Sequence, residues 1–167
     1  MSPEVLAFSK EAQAELESIL QAYPTKQACL LPVLHLVHRE FGYISDPIAE
    51  AVAGLLEIPV AVAVEVLTFY TLFARRPQAK YVIQVCRGLS CALLGQEELL
   101  AYLKNRLKIK EGEMTPDGLF ELKTVECLGG CGESPVVRIN ETYYELQTID
   151  RLESTLKELS KGPKKGA

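Results

Sequence analysis

The sequence predicts an α+β protein in which a helical N-terminal part precedes a part that alternates strands with helices. Up to the stretch Arg75-Arg76-Pro77, apolar residues recur at three- and four-residue steps, the spacing of one helix face. After it, short runs of β-branched and aromatic residues alternate with helical patterns in the order β-α-β-β-β-α. A chain of 167 residues with 48% hydrophobic composition is apolar enough to bury cores for both parts.

Four helices are predicted in the N-terminal part, over residues 10–22, 28–41, 47–57 and 59–72. Asp46 is the expected N-cap of the third helix, with Pro47 at its first position, where the missing N–H is not needed. Gly42 is expected to end the second helix. Pro32 falls inside the second helical pattern, so it should lie in the first turn of that helix or kink it.

The second part is predicted to form a mixed four-stranded sheet with two helices. The expected strands cover residues 81–85, 119–125, 136–140 and 142–146, and the expected helices cover residues 92–107 and 149–159. The first two strands are joined by a helical crossover, which suits a parallel pair. Asn140 and Glu141 are expected at the tip of a hairpin between the last two strands.

Four of the five cysteines form two short-spaced pairs, Cys86-x4-Cys91 and Cys127-x3-Cys131. Each pair follows the end of a predicted strand, so both are expected at one rim of the sheet, near the surface. Four thiolates are the ligand set of tetrahedral zinc and of iron–sulfur clusters. Neighbouring glycines are expected to adopt positive φ and to bring amide N–H groups close to sulfur: Gly88, Gly129, Gly130 and Gly132.

Other uses of the cysteines agree less well with their spacing. Plant-type ferredoxins would need a cysteine at the position of Leu94, and Rieske centres need histidines, whereas His35 and His38 lie far upstream. Five cysteines without a recognisable secretory signal favour a reduced compartment over structural disulfides. The absence of Cys-x-x-Cys argues against a thioredoxin-type dithiol enzyme. The spacing favours an iron–sulfur cluster and leaves structural zinc and redox-active thiols open.

The charge and hydropathy patterns argue against two classes of protein, those that bind nucleic acid and those that span a membrane. The net charge is −4 and the pI is near 5.3, and no basic stripe is present, so we expect no binding to nucleic acid. The longest apolar stretch, residues 58–64, is too short to cross a bilayer, so any membrane association must come through partners. Residues 161–167 are expected to form a flexible tail.

Several residues of types that can bind metals, catalyse reactions or dock partners are expected to serve packing instead. His35 and His38 share a helical face but lack the glutamate of a His-Glu-x-x-His metalloprotease motif, so we expect them to serve packing. Cys29 lies in an apolar helix and is expected to be a small buried residue rather than a ligand. Aromatic residues at helical spacing are usually core, and a docking surface for a partner is the alternative: Phe69, Tyr70 and Phe73.

Further motifs accompany the two cysteine pairs and together cover nearly the whole chain. They are Phe41-Gly-Tyr-Ile44, Thr68-Phe-Tyr70, Cys86-Arg-Gly-Leu-Ser-Cys91, Thr115-Pro-Asp-Gly-Leu-Phe120, Cys127-Leu-Gly-Gly-Cys131 and Ser134-Pro135. These motifs resemble those of the small 2Fe–2S subunit of respiratory complex I, the thioredoxin-like ferredoxin subunit of NADH:quinone oxidoreductase. Arg87, Gly88 and Ser134 differ from the residues common at these positions of the family.

The resemblance implies a helical domain at residues 1–78 and a thioredoxin-like domain at residues 79–160. It implies one 2Fe–2S cluster near the FMN of a partner flavoprotein subunit that also binds NADH. The implied ligands are four cysteines: Cys86, Cys91, Cys127 and Cys131. Arg87, next to Cys86, is expected to raise the reduction potential of the cluster, because a cation favours the more negative reduced state.

The resemblance also implies a place in a larger assembly. The partners would be the flavoprotein and further subunits of the hydrophilic arm, and the location would be cytoplasmic, on the inner face of the plasma membrane through the complex. The chain has no glycine-rich dinucleotide or phosphate motif, so it would be an oxidoreductase subunit without a complete active site of its own. The equivalent subunit of an NAD-linked hydrogenase or formate dehydrogenase and a zinc-stabilised interaction module are the alternatives.

Overall fold

The computed structural model describes residues 6–161 of the protein. The chain divides into two compact units, with the boundary between Pro77 and Gln78. The predicted tail at 161–167 lies outside the described residues, apart from Lys161. Within residues 6–161, none of the helices has the length and apolar character needed to span a bilayer.

Within residues 6–77, the first unit contains four α-helices and a 3-10 turn, Gln27–Cys29, before the second helix. The helices are α1 (Lys10–Ala22), α2 (Leu30–Phe41), α3 (Asp46–Leu56) and α4 (Val60–Phe69). Gly42 ends α2 with φ of 76°, and Pro32 lies in the first turn of that helix, as predicted. The Ser9 hydroxyl caps α1 by accepting the Ala12 N–H at 3.2 Å.

Two helix boundaries in this unit differ from the prediction. Ser45, rather than Asp46, is the N-cap of α3, and its extended backbone leaves Asp46 as the first helical residue. The fourth helix ends at Phe69 instead of residue 72, because Tyr70 adopts the non-helical angles φ −87° and ψ 104°. The chain then turns so that Phe73 packs edge-on against the rings of α2 histidines, with centroids 5.1 Å from His35 and 5.9 Å from His38.

The core of this unit is formed by apolar side chains from all four helices. The central ones are fully buried: Val33, Leu34, Val37, Val52, Leu56, Ala63 and Leu67. Cys29 is buried with them, and its thiol donates to the Thr25 carbonyl at 3.4 Å, which confirms its expected packing role. His38 serves packing as well, since its Nε2 accepts the Ala74 N–H at 3.2 Å.

The second unit contains the predicted mixed four-stranded sheet, with the order β2-β1-β3-β4. The strands are β1 (Tyr81–Cys86), β2 (Phe120–Val125), β3 (Val137–Ile139) and β4 (Thr142–Tyr144). β1 and β2 are parallel, whereas β3 is antiparallel to both β1 and β4. Asn140, in the left-handed region at φ 52°, lies at the tip of the β3–β4 hairpin, which confirms the predicted turn.

Three α-helices accompany the sheet within residues 78–161, where two were predicted. They are α5 (Leu89–Leu93), α6 (Gln96–Leu107) and α7 (Ile149–Ser160). The prediction of one helix over 92–107 is wrong because Gly95 takes φ of 98°, which no right-handed helix contains. Leucines of α6 and α7 pack with buried residues of β1 and β2 and form the core of this unit. Its members include Leu99, Leu103, Leu152, Leu156, Ile83, Val85, Phe120 and Leu122. This core holds β1 and β2 in place, and the cysteine loops follow the ends of these two strands.

Candidate metal centre

Both cysteine pairs begin at the edge of the sheet where the parallel strands β1 and β2 end. Cys86 is the last residue of β1 and pairs in register with Val125, the last residue of β2. Cys127 follows Val125 by two positions, so the two ligand-bearing loops leave the sheet side by side. The structure therefore confirms that the cysteine pairs share one rim of the sheet.

Cys86 and Cys91 form a buried thiol pair. The short helix α5 turns the chain back after β1, so that the two side chains form a hydrogen bond to each other. They are 3% and 2% exposed, and Val136 packs against both of them. The contact brings two of the four candidate ligands together.

Cys127 and Cys131 lie in the loop after β2 and are exposed. The Gly129 N–H donates to the Cys127 sulfur at 3.3 Å, and its φ of 79° is the reason that glycine is needed there. Cys131 begins a 3-10 turn, Cys131–Glu133. This second pair faces solvent, where a partner protein has access to it.

Side chains and backbone groups of the two loops contact each other. The Leu128 N–H donates to the Cys86 sulfur, and the Ser134 hydroxyl accepts from the Cys91 thiol at 3.4 Å. The same hydroxyl donates to the Cys131 carbonyl at 3.0 Å. These hydrogen bonds connect the loop of the first pair to the loop of the second.

An ion pair joins the same two loops at the surface. Arg87, which follows Cys86, contacts the carboxylate of Glu126, which precedes Cys127. The Arg87 N–H also donates to the Val125 carbonyl at 2.9 Å and continues the parallel β1–β2 ladder by one bond. The guanidinium is therefore beside a carboxylate rather than alone near the cysteines.

The glycines near the cysteines do not all serve the role predicted for them. Gly129 has positive φ, but Gly88, Gly130 and Gly132 do not, so the prediction of positive φ is wrong for these three. Gly88 is needed for close approach instead, because a Cβ there would lie 3.3 Å from the Glu126 carbonyl and 3.5 Å from the Cys86 sulfur. The Gly88 N–H also donates to that sulfur.

The environment separates the pKa values of the two buried thiols. Burial raises the pKa of Cys86, and the contact with Cys91 adds to this, although N–H groups of Gly88 and Leu128 oppose it. Burial also acts to raise the pKa of Cys91, but hydrogen bonds that Ser134, Val136 and Cys86 can donate to its thiolate form outweigh burial and lower that pKa. Cys91 is therefore the first of the pair to become a thiolate, the form that binds metal.

The donor set of the two loops fits a 2Fe–2S cluster. Four thiols are the ligands that such a cluster needs, and they lie in loops that leave the same end of the parallel strands β1 and β2. Within residues 6–161, no three histidine, cysteine, aspartate or glutamate side chains form a group that could hold an ion. A 2Fe–2S cluster spreads four thiolates over two irons and is stabilised by hydrogen bonds to sulfur, which this edge supplies.

The aromatic residues considered for docking fall into two groups. Phe73 is buried in the first unit, as expected for a core residue. Phe69 is 77% exposed, and together with Tyr70 it lines a cavity of about 470 Å³. A partner-binding role for Phe69 and Tyr70 stays a prediction.

Sequence reasoning did not assign a role to three residues at the metal centre. Val136 packs against the buried thiols, Ser134 hydrogen-bonds one of them, and Glu126 pairs with Arg87. Ser134 and Glu126 are polar residues close to cysteines in the sequence, and this closeness is the signal by which the sequence could have indicated a role for them. Their contacts cross between loops, so spacing along the chain does not reveal them.

Comparison with known proteins agrees with this geometry. A model of the thioredoxin-like 2Fe–2S ferredoxin family matches residues 16–160. An NADH-quinone oxidoreductase subunit of Rickettsia bellii (strain RML369-C) is 40% identical over 156 residues, which cover 92% of this chain and 93% of that protein. The NADP-reducing hydrogenase subunit HndA of Solidesulfovibrio fructosivorans is 34% identical over 93% of this chain and 91% of that protein.

Solved structures show the same fold. The chain is similar to part of an NAD+-reducing NiFe-hydrogenase, with a TM-score of 0.68 and 19% identity, over 80% of this chain and 23% of the hydrogenase chain. This likeness concerns the fold alone. The family match and the relatives confirm the resemblance seen in the motifs: the chain belongs to the thioredoxin-like 2Fe–2S ferredoxin family.

Proposed function

We propose that this chain is an electron-transfer subunit of an NADH:quinone oxidoreductase that holds one 2Fe–2S cluster. The observation that carries the proposal is the meeting of two cysteine pairs at one sheet edge, in a chain 40% identical over nearly its whole length to a subunit of an NADH-quinone oxidoreductase. The proposed ligands are four thiolates: Cys86, Cys91, Cys127 and Cys131. A bound 2Fe–2S cluster supplies reversible one-electron transfer.

Backbone N–H groups of this chain stabilise the negative charge that such a site carries. Gly88 and Leu128 donate to the sulfur of Cys86, and Gly129 donates to that of Cys127. Hydrogen bonds to cluster sulfurs favour the more negative reduced state and are one means of setting the potential. Val136 and the burial of the first pair keep water away from that side of the site.

The exposed pair defines the side on which electrons enter and leave. Cys127 and Cys131 are exposed, whereas Cys86 and Cys91 are buried. A partner that binds over the exposed loop approaches the metal centre most closely there. We infer that the partner is the flavoprotein subunit with FMN and NADH, because this chain has no nucleotide-binding glycine motif.

The assembly determines where the protein acts. We propose that residues 1–78 and 79–160 are its two domains, that further hydrophilic-arm subunits contact it, and that it lies on the inner face of the plasma membrane through the complex. The catalytic activity belongs to the complex, and this chain contributes an electron site. Within residues 6–161, the lack of a helix able to span a bilayer is compatible with attachment through other subunits.

A hydrogenase complex is the second candidate. The similarity to an NADP-reducing hydrogenase subunit at 34% identity favours it specifically. In that assembly the cysteines would serve the same purpose, and only the final electron acceptor or donor would differ.

Purification of the native complex through a tag on this chain tests the proposal. We expect a complex with bound FMN that reduces a quinone analogue with NADH, and this activity should be retained on the tag. A complex that instead couples H2 oxidation to reduction of NAD+ or NADP+ would replace the proposal with the hydrogenase candidate. A tagged chain that carries zinc and no flavoprotein would refute both.

A further inference from the structure

The Ser134 hydroxyl is buried beside the metal centre and makes two hydrogen bonds. Ser134 is 4% exposed. Its Oγ accepts from the Cys91 thiol at 3.4 Å and donates to the Cys131 carbonyl at 3.0 Å. A hydroxyl has one proton and two lone pairs, so both bonds exist together only while Cys91 keeps its proton.

Iron binding changes this arrangement, because a metal-bound cysteine is a thiolate. Without the thiol proton, the Cys91 sulfur and the Ser134 oxygen would face each other as two acceptors in a buried place, which is unfavourable. Rotation about the Cβ–Oγ bond removes the conflict, since the hydroxyl then donates to the sulfur in place of the Cys131 carbonyl. Hydrogen bonds to a charged acceptor are also stronger than neutral ones.

We propose that Ser134 is a positioning residue of the metal centre, whose hydroxyl donates to the Cys91 thiolate and raises the reduction potential. This inference rests on the proposed function, in which Cys91 is an iron ligand. The sign of the change in reduction potential on removal of the hydroxyl distinguishes the two hydroxyl orientations. A donor to sulfur stabilises the reduced state, whereas an oxygen lone pair held toward the sulfur would destabilise it.

Ser134→Ala in the full chain, loaded anaerobically with iron and sulfide, provides the test. A redox titration monitored by electron paramagnetic resonance gives the midpoint potential. We expect the equilibrium constant for reduction to fall about tenfold, which is about 59 mV for a one-electron couple. Ser134→Thr keeps the hydroxyl and should restore the wild-type midpoint.

A second readout detects the hydrogen bond itself. Fe–S stretching bands in resonance Raman spectra shift in D2O when an exchangeable proton is bonded to a ligand sulfur. The shift should be smaller in Ser134→Ala than in the wild type and Ser134→Thr. Ser90→Ala is the matched control, because it removes a hydroxyl next to Cys91 that is not a partner of its sulfur.

The outcomes are distinct. An unchanged or higher midpoint in Ser134→Ala, or an equal fall in Ser90→Ala, would overturn the role of Ser134 while leaving the proposed function intact. Failure of the wild-type chain to bind iron and sulfide would instead refute the proposed function. If Ser134→Ala loads poorly, Ser134→Val, which has nearly the shape of Ser134→Thr but no hydroxyl, carries the same expectation.

Discussion

The four proposed ligands have unequal surroundings even though their spacings are similar. Cys86 and Cys91 are buried, hydrogen-bonded to each other and packed against Val136, whereas Cys127 and Cys131 are exposed. Loss of a buried thiol therefore disturbs packing as well as metal binding. Loss of an exposed thiol tests metal binding with little effect on the fold.

Replacement of single cysteines should show which of them bind iron: four are expected to be ligands, and Cys29 is not. Cys127→Ala and Cys131→Ala should lower bound iron from about two atoms per chain to less than one, because alanine leaves an iron position open to water. Cys29→Ser is the control and should keep the full iron content, since Cys29 lies in the helical unit. The measurement is iron and acid-labile sulfide per folded chain.

The assignment would be contradicted by a specific pattern. If Cys29→Ser lost the cluster while Cys127→Ala kept it, the ligands would lie elsewhere. Cys86→Ser and Cys91→Ser should also lose iron, and circular dichroism shows whether the fold survives in each of these two variants.

Arg87 is predicted to raise the cluster potential, and the structure adds Glu126 to this prediction. Arg87→Ala removes the cation and leaves the Glu126 carboxylate near the cysteines, so the midpoint should fall. The shift should be small, on the order of 20 mV, because water and salt screen the charge of an exposed guanidinium. The Arg87→Ala/Glu126→Gln double variant should return close to the wild-type midpoint.

Redox titration of the three proteins checks this charge effect. Glu126→Gln alone should raise the midpoint, because it leaves Arg87 unpaired. An unchanged midpoint in Arg87→Ala, or a double variant no closer to the wild type than the single one, would show that the ion pair has no influence on the site.

At the scale of elements, a network on α6 and α7 holds these helices together. Glu153 on α7 accepts from the Tyr102 hydroxyl and from Arg106 Nε at 2.9 Å, both on α6, and pairs with Lys157 at 3.3 Å. The hydrogen bond from Tyr102 and the contacts with Arg106 and Lys157 lower the pKa of Glu153 to about 2. The folded state therefore favours the carboxylate over the protonated acid.

This network predicts a pH dependence of stability with a definite sign. Because the folded-state pKa of Glu153 lies below its ordinary value of 4.5, its contribution is present above about pH 4.5 and is lost as pH falls toward about 2. Urea unfolding of the metal-free chain, followed by circular dichroism, should show Glu153→Gln less stable than wild type at pH 7. The difference should shrink at pH 3.

A control variant makes this test specific to the network. Glu158→Gln lies on the same helix outside these contacts and should follow the wild-type pH dependence. If Glu153→Gln lost as much stability as the wild type between pH 7 and pH 3, protonation of Glu153 would not explain the loss of stability in acid.

The elements also show how far the sequence predicts this fold. Gly42 and Pro32 act through backbone geometry, so the end of α2 and its first turn were predictable from local sequence. The break between α5 and α6 was not, because leucines continue on both sides of Gly95 and a single glycine is tolerated within helices. The break comes from the left-handed backbone of Gly95, at φ 98°, which hydrophobic periodicity does not report.

At the scale of the whole molecule, the change in sequence pattern near Arg75-Arg76-Pro77 coincides with the boundary at Pro77 between the two units. The fold class follows from such local patterns, and the sheet edge that carries the cysteines follows from the strand order. The contacts of Ser134 and Val136 with the thiols cannot be predicted from local patterns, because they join residues far apart in the sequence. Local patterns therefore point to the proposed ligands, but not to the residues that contact them.

The central claim, that this chain binds one 2Fe–2S cluster, is tested most directly by analysis of the full chain purified without oxygen. The measurement is iron, zinc and acid-labile sulfide per chain, together with the electron paramagnetic resonance spectrum after reduction with dithionite. We predict a brown protein with about two irons and about two sulfides per chain and a paramagnetic signal that appears on reduction. A colourless protein with about one zinc per chain and no such signal would contradict the claim.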